Sequence, residues 1–245
     1  CGDLNLSGER RPQSYLRETL WSDAPVSHIV VTPPVPSFPL NPDKANWSVW
    51  DFPDVVDHWN FPGYEGKKMT VSVYSNCEQV ELFLNGESLG KQENTADKKN
   101  TLVWEVPYAH GILKAVSYNK GGEVGTATLE SAGKVEKIRL SADRTEIVAD
   151  GNDLSYITLE LVDSKGIRNQ LAEELVEFSI EGDATIEGVG NANPMSIESF
   201  VANSRKTWRG SNLLVVRSGK SSGRIIVTAK VKALPVASIT ITQKK

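Results

Sequence analysis

From residue 67 onward, apolar and polar side chains alternate along this chain. Met69, Val71 and Val73 alternate with Thr70, Ser72 and Tyr74, and Val80, Leu82 and Leu84 alternate with Glu81 and Phe83. A period of two marks a half-buried strand, because successive side chains point to opposite faces. Asn85-Gly86 follows at once, and both residues tolerate the positive φ of a tight hairpin turn. Leu102, Trp104 and Val106 make the next inward row. Strands at 112–118 and 124–129 follow, separated by Asn119-Lys120-Gly121-Gly122. Short strands with turns every ~10 residues predict a small antiparallel sandwich over 47–132.

The same rhythm returns in a second unit over 133–245. Ile138 and Leu140 open it. Ile157, Leu159 and Leu161 alternate with Thr158 and Glu160, and Asp163-Ser164-Lys165-Gly166 turns the chain. Val176, Phe178 and Ile180 alternate with Glu177, Ser179 and Glu181, and apolar runs at 213–216, 225–231 and 237–241 complete it. The two units are alike in class without a residue-level repeat.

The first 46 residues lack this alternation. Tyr15, Leu16, Leu20 and Trp21 share a face at three-to-four spacing, so 13–21 reads as a helix beginning at Pro12 and Ser14. Its apolar face is too small to stand alone. Prolines 33, 34, 36, 39 and 42 then remove backbone donors and hold the chain extended, so 26–46 reads as a Pro-rich linker. The expected fold is mainly β: two immunoglobulin-like antiparallel β-sandwiches preceded by a short helical segment and that linker.

Composition narrows the function. Lys plus Arg is 27 and Asp plus Glu 31, a formal charge of −4, and the signs are mixed. Nucleic-acid binding, which needs clustered positive charge, is therefore not expected. No apolar run approaches the ~18 residues of a membrane span. Cys1 and Cys77 make neither a disulfide framework nor a zinc site. A disulfide between them stays open, as does Cys1 as the lipid-bearing first residue of a lipoprotein. Cys1-Gly2-Asp3-Leu4 is not a translation start, so the chain reads as a mature or truncated product.

Residues 47–90 carry a specific pattern. Trp47-Ser48-Val49-Trp50, Trp59-Asn60-Phe61-Pro62-Gly63-Tyr64-Glu65-Gly66 and the run from Val73-Tyr74-Ser75-Asn76-Cys77 through Asn85-Gly86 to Gly90 stand in order. This pattern resembles the module that follows the catalytic barrel in bacterial glycoside hydrolase family 2 enzymes, mostly β-galactosidase-like proteins. Gly2-Asp3-Leu4-Asn5-Leu6 with Arg11-Pro12-Gln13-Ser14-Tyr15 and Trp21 resembles the end of that barrel, so 1–25 is expected to be its remnant. Residues 150–166 with Gly188-Val189-Gly190-Asn191-Ala192-Asn193-Pro194 resemble the family's C-terminal immunoglobulin-like domain. Ala192 replaces the second Gly of that loop, which counts against any role needing positive φ there.

The resemblance implies a parent that hydrolyses terminal β-linked sugars, most often β-galactosides, by a retaining mechanism. It implies a periplasmic or secreted bacterial protein and, as partner, the N-terminal catalytic barrel of the same protein. Carbohydrate and a second copy of the chain remain open as partners. No cofactor is implied.

Retaining hydrolysis needs two carboxylates about 5–5.5 Å apart, and no glutamate here matches the family's catalytic motifs. Glu173-Glu174 is the most obvious pair, yet neighbours on a strand would point apart. His28, His58 and His110 are scattered, with no Gly-x-Ser-x-Gly turn to seat a nucleophile. Asp150, Asn152 and Asp153 lack the twelve-residue calcium-loop spacing, and Asn46-Trp47-Ser48 reads as a chance glycosylation triplet. No catalytic and no metal residue is therefore expected. Trp47, Trp50, Trp59, Phe61 and Tyr64 fall within 18 residues and are the candidate sugar contacts. Flat rings stack on sugars, but they also bury area at domain junctions. Two functions follow: a non-catalytic accessory region that buttresses the barrel and shapes its entrance, or a carbohydrate-binding or adhesive tandem.

Overall fold

The computed structural model describes residues 2–37 and 53–245. The chain divides into two compact units, one of residues 1–4 and 10–131, the other of residues 5–9 and 132–245.

The first unit holds α1 (Ser14–Trp21) and strands β1 (Ser27–Val31), β2 (Lys68–Ser75), β3 (Gln79–Leu84), β4 (Glu87–Glu93), β5 (Thr101–Pro107), β6 (Ile112–Asn119) and β7 (Gly122–Glu130). β1-β2-β5 form one antiparallel sheet and β4-β3-β6-β7 the other. The core between them is built by the inward rows the sequence displays: Met69, Val71 and Val73, Val80 and Leu82, and Leu102, Trp104 and Val106. Asn85 and Gly86 turn the β3–β4 hairpin at φ 52° and 87°, the left-handed pair that matches strand twist.

Two expectations for the amino-terminal part need correction. The span 26–46 is not linker throughout, because Ser27–Val31 is a strand paired with β2, Ile29 opposite Val73. Ile29 and Val31 enter the main core, while Val30 packs with Val55 and Tyr74 and with the helix residues Tyr15 and Leu16. A strand buried on both faces shows an unbroken apolar run instead of alternation. The prolines at 39 and 42 lie outside the described residues. The apolar contact of the helix with the sandwich is made by Tyr15 and Leu16, and the Asn100 amide donates to the Thr19 hydroxyl and carbonyl. Leu20 and Trp21, expected on the same face, are 65% and 86% exposed. Asn76 fastens the chain behind the helix: its amide donates to the carbonyls of Ser22 and Ala24, and its Oδ1 accepts the Val26 N–H at 2.7 Å.

The second unit has nine strands: β8 (Lys137–Ala142), β9 (Glu146–Val148), β10 (Leu154–Val162), β11 (Leu175–Glu181), β12 (Ala184–Gly190), β13 (Ser204–Lys206), β14 (Ser211–Ser218), β15 (Gly223–Val231) and β16 (Ala237–Lys244). They form the sheets β12-β14-β10-β8 and β13-β11-β15-β16-β9, antiparallel except for the β9–β16 pair. Ile157, Leu159 and Leu161 meet Val176, Phe178, Val227 and Ile241 in its core. Asp163 ties the predicted 163–166 turn, accepting the N–H groups of Lys165, Ile167 and Gly133. Gly188-Val189-Gly190, read above as part of a loop, closes β12, and the loop proper starts at Asn191. That loop must cross between the sheets, since β12 pairs with β14 and β13 with β11.

Candidate functional site

The aromatic cluster sits on the segment that leads into β2. Val56 bonds reciprocally with Val31 (N–H to O at 2.8 and 2.9 Å), which draws residues 55–61 across the edge of β1. Trp59 thereby enters the core and is fully buried. Its Nε1–H donates to the Ala109 carbonyl at 2.8 Å, and its own carbonyl accepts from the Ser131 hydroxyl. Phe61 and Tyr108 stand edge-on to the indole at centroid distances of 5.9 and 4.9 Å. The Tyr108 hydroxyl oxygen accepts the Phe61 N–H at 3.0 Å. Every polar atom of this three-ring group named here has a partner, and the edge-to-face arrangement is the favourable one for aromatic quadrupoles.

These contacts correct part of the candidate list. Trp59 and Phe61 offer no face to a sugar, because their faces are occupied by the core. Tyr64 is half-buried, with the Lys67 ammonium 4.6 Å over its ring. Trp47 and Trp50 lie outside the described residues. Sequence reasoning missed Tyr108, the third ring, which is far away in sequence and carries no local signal.

The remaining candidates resolve into local structure. Glu173 and Glu174 precede β11 instead of lying on a strand, and both are exposed. Asp150 Oδ1 accepts the N–H groups of Asn152 and Asp153 at 2.7 and 2.8 Å. Asp153 in turn accepts the Val148 N–H and the Arg144 guanidinium. Both carboxyls are held below the ordinary range, chiefly by those backbone hydrogen bonds. Asp163 is also held low, because its three backbone donors outweigh the opposing effect of burial. Asp183 is held low by the Ser221 N–H and hydroxyl and the Lys220 N–H. A catalytic acid needs a displacement in the opposite direction. Among the described residues no three His, Cys, Asp or Glu side chains gather where they could hold a metal ion. Cys77 is a buried free thiol; Cys1 lies outside the described residues.

His28 lies against the helix. It stacks on Tyr15 at 3.5 Å, and the Arg10 guanidinium lies 3.9 Å over the same ring. Burial pushes the imidazole down to about 4, only partly opposed by Asp57 and Glu18. The histidine is therefore a neutral packing element at neutral pH, holding α1 to β1. In the second unit an open cleft of about 590 Å³ lies on the outer face of β8, β10 and β14, walled by Leu6, Ser7 and Gly8 and edged by Tyr156. The Asp143 Oδ1 at its rim already accepts the N–H groups of Arg144 and Tyr156.

Fold and site together define a tandem of β-sandwiches in which Trp59, Phe61 and Tyr108 fill a core and the displaced acids brace loops. Comparison with known proteins places this class. Residues 138–240 match the model of glycoside hydrolase family 2 C-terminal domain 5, and residues 66–125 match a domain of unknown function (DUF4982). A β-galactosidase of Bacteroides ovatus is 30% identical over 244 residues, which is 100% of this chain and 25% of its own length. A β-glucuronidase of Formosa agariphila is 30% identical over 205 residues, 81% of this chain and 20% of its own. A solved glycosyl hydrolase family 2 member from Bacteroides cellulosilyticus superposes with a TM-score of 0.98 at 99% identity, covering 100% of this chain and 32% of that one. The chain belongs to glycoside hydrolase family 2, as part of its C-terminal region. It spans a quarter or less of the length of these curated relatives.

Proposed function

We propose that this chain is the non-catalytic accessory region of a retaining glycoside hydrolase acting on β-galactosides or β-glucuronides, and that it buttresses the catalytic barrel carried elsewhere in the same protein. The observation that carries this reading is the two-sided helix α1. Tyr15 and Leu16 fix it to the first sandwich, while Leu20 and Trp21 present a bare apolar surface. Exposed large side chains on an ordered helix mark a contact surface. In this reading residues 1–25 complete the end of the barrel, and α1 is gripped from both sides. The barrel supplies the paired carboxylates; the sandwiches supply a rigid seat.

The test is heat inactivation of the full-length enzyme carrying Leu20→Asp and Trp21→Asp. Neither side chain belongs to a sandwich core, so the sandwiches stay folded. The enzyme is expected to lose activity at lower temperature than the parent. An unchanged inactivation curve overturns the buttress. The rival reading, a carbohydrate-binding tandem, is separated by affinity electrophoresis of this chain in galactan, xylan and mucin glycans: retardation lost in Trp47→Ala supports the rival, and unretarded migration supports the buttress.

A further inference from the structure

The connection between β12 and β13 is an apolar knob on a rigid base. Met195, Ile197, Phe200 and Val201 stand 78%, 101%, 56% and 81% exposed within seven residues. Such a run in a floppy loop would mean little. Here the loop is held from inside by Arg205, a cation that is itself only 1% exposed. Its guanidinium donates to the carbonyls of Val189 and Glu198 at 3.2 and 3.1 Å and to the Ser196 hydroxyl at 3.1 Å, and it lies 4.3 Å over the Phe200 ring. The Asn191 amide donates to the Lys206 carbonyl, and Asn191 and Asn193 each fold the backbone two residues on. Glu198 accepts the Lys206 N–H and the Ser196 hydroxyl.

Two features run against stability and ask for a reason. A guanidinium buried against carbonyls and a ring is a costly way to hold a loop, and its Nε has no partner. Ala192 sits at φ 61°, the left-handed region that its Cβ disfavours. Alanine counts against positive φ at this position, and the backbone adopts it nonetheless, between Asn191 and Asn193 whose side chains are hydrogen-bonded to backbone. Strain that the surroundings maintain beside four uncovered apolar side chains is the pattern of a preformed binding element.

We propose that this knob, residues 195–201, docks the second sandwich onto the catalytic part of the same polypeptide. This rests on the buttress reading and adds a second, independent anchor to the one at α1. The chain accounts for 32% of the 99%-identical solved protein, so roughly two-thirds of that polypeptide lies outside it. A tethered surface is present at an effective concentration of millimolar order, so it meets an exposed apolar knob ahead of a free second copy.

The test is peroxide oxidation of the native full-length protein, with Met195 followed by peptide mass spectrometry and the urea-unfolded protein as reference. Covered by its partner, Met195 is oxidised at least ~10-fold more slowly than in the unfolded chain. Ile197→Asp, at a side chain that stands free in the sandwich, is expected to restore rapid oxidation while the amides of β14 and β15 keep their exchange protection. Rapid oxidation of Met195 in the native parent overturns the proposal. So does protection that survives Ile197→Asp, or protection that grows with protein concentration, which would assign the knob to a second copy. If the full-length protein hydrolyses neither glycoside, the functional reading fails, while Met195 protection still decides the docking.

Discussion

Replacing Trp59 separates a packing cluster from a sugar platform most sharply. Trp59→Ala empties the largest fully buried side-chain site of the first sandwich and leaves the Ala109 carbonyl without its donor. Truncating a buried tryptophan costs about 3–5 kcal/mol, and we take about 4 for a residue ringed by Phe61 and Tyr108. Each 1.4 kcal/mol is tenfold in an equilibrium constant, so the unfolded population of this unit should rise about a thousandfold. Amide hydrogen exchange read on β2 and β5 peptides reports it locally, with β14 and β15 as the unaffected control. Trp59→Phe keeps a ring but removes the Ala109 bond and should lose about 1–2 kcal/mol. Exchange of β2 and β5 in Trp59→Ala within ~3-fold of the parent would refute the packing assignment, since a global opening must carry the full loss.

Three further outcomes follow from single sites. His28 titrates near 4 in the fold against 6.5 unfolded, so between these values the unfolded state binds more protons. Stability of the first unit is therefore full above pH 6.5 and falls toward pH 4, by up to about 3 kcal/mol, and urea unfolding of His28→Leu should lack that dependence. Gly210→Ala should lose about 2 kcal/mol or more, because a Cβ at φ 70° would lie 2.3 Å from the Asn169 carbonyl oxygen; an unchanged melting curve would contradict it. Ala192→Gly relieves the left-handed alanine and should stabilise the second sandwich by about 1 kcal/mol in denaturant titration, net of the flexibility glycine adds to the unfolded chain.

Much of the fold was legible because its central strands have one face in a core and one outside. Rows such as Val71–Val73 and Ile157–Leu161 alternate for that reason, and Asn85-Gly86 announces its own turn. What escaped notice obeys different physics. β1 is buried on both faces and sits beside prolines, so it reads as a linker. β4 is mostly exposed and polar, a hairpin edge without an apolar row. β12 ends in Gly-Val-Gly, which looks like a loop until β14 pairs with it. The aromatic cluster was visible as composition, but its orientation was not. Tyr108 and Ala109, which turn Trp59 inward, lie about fifty residues further on. Ala192 shows the same limit at one residue: local preference opposes positive φ, and the folded loop adopts it.

The central claim is that hydrolysis belongs to a part of the protein outside these residues. The most direct measurement incubates the 245-residue chain at high concentration with nitrophenyl β-galactoside and nitrophenyl β-glucuronide, beside the full-length protein. The account predicts nitrophenol from the full-length protein and none above buffer from the chain. Release by the chain alone, scaling with its concentration and following it through successive purification steps, would contradict the account.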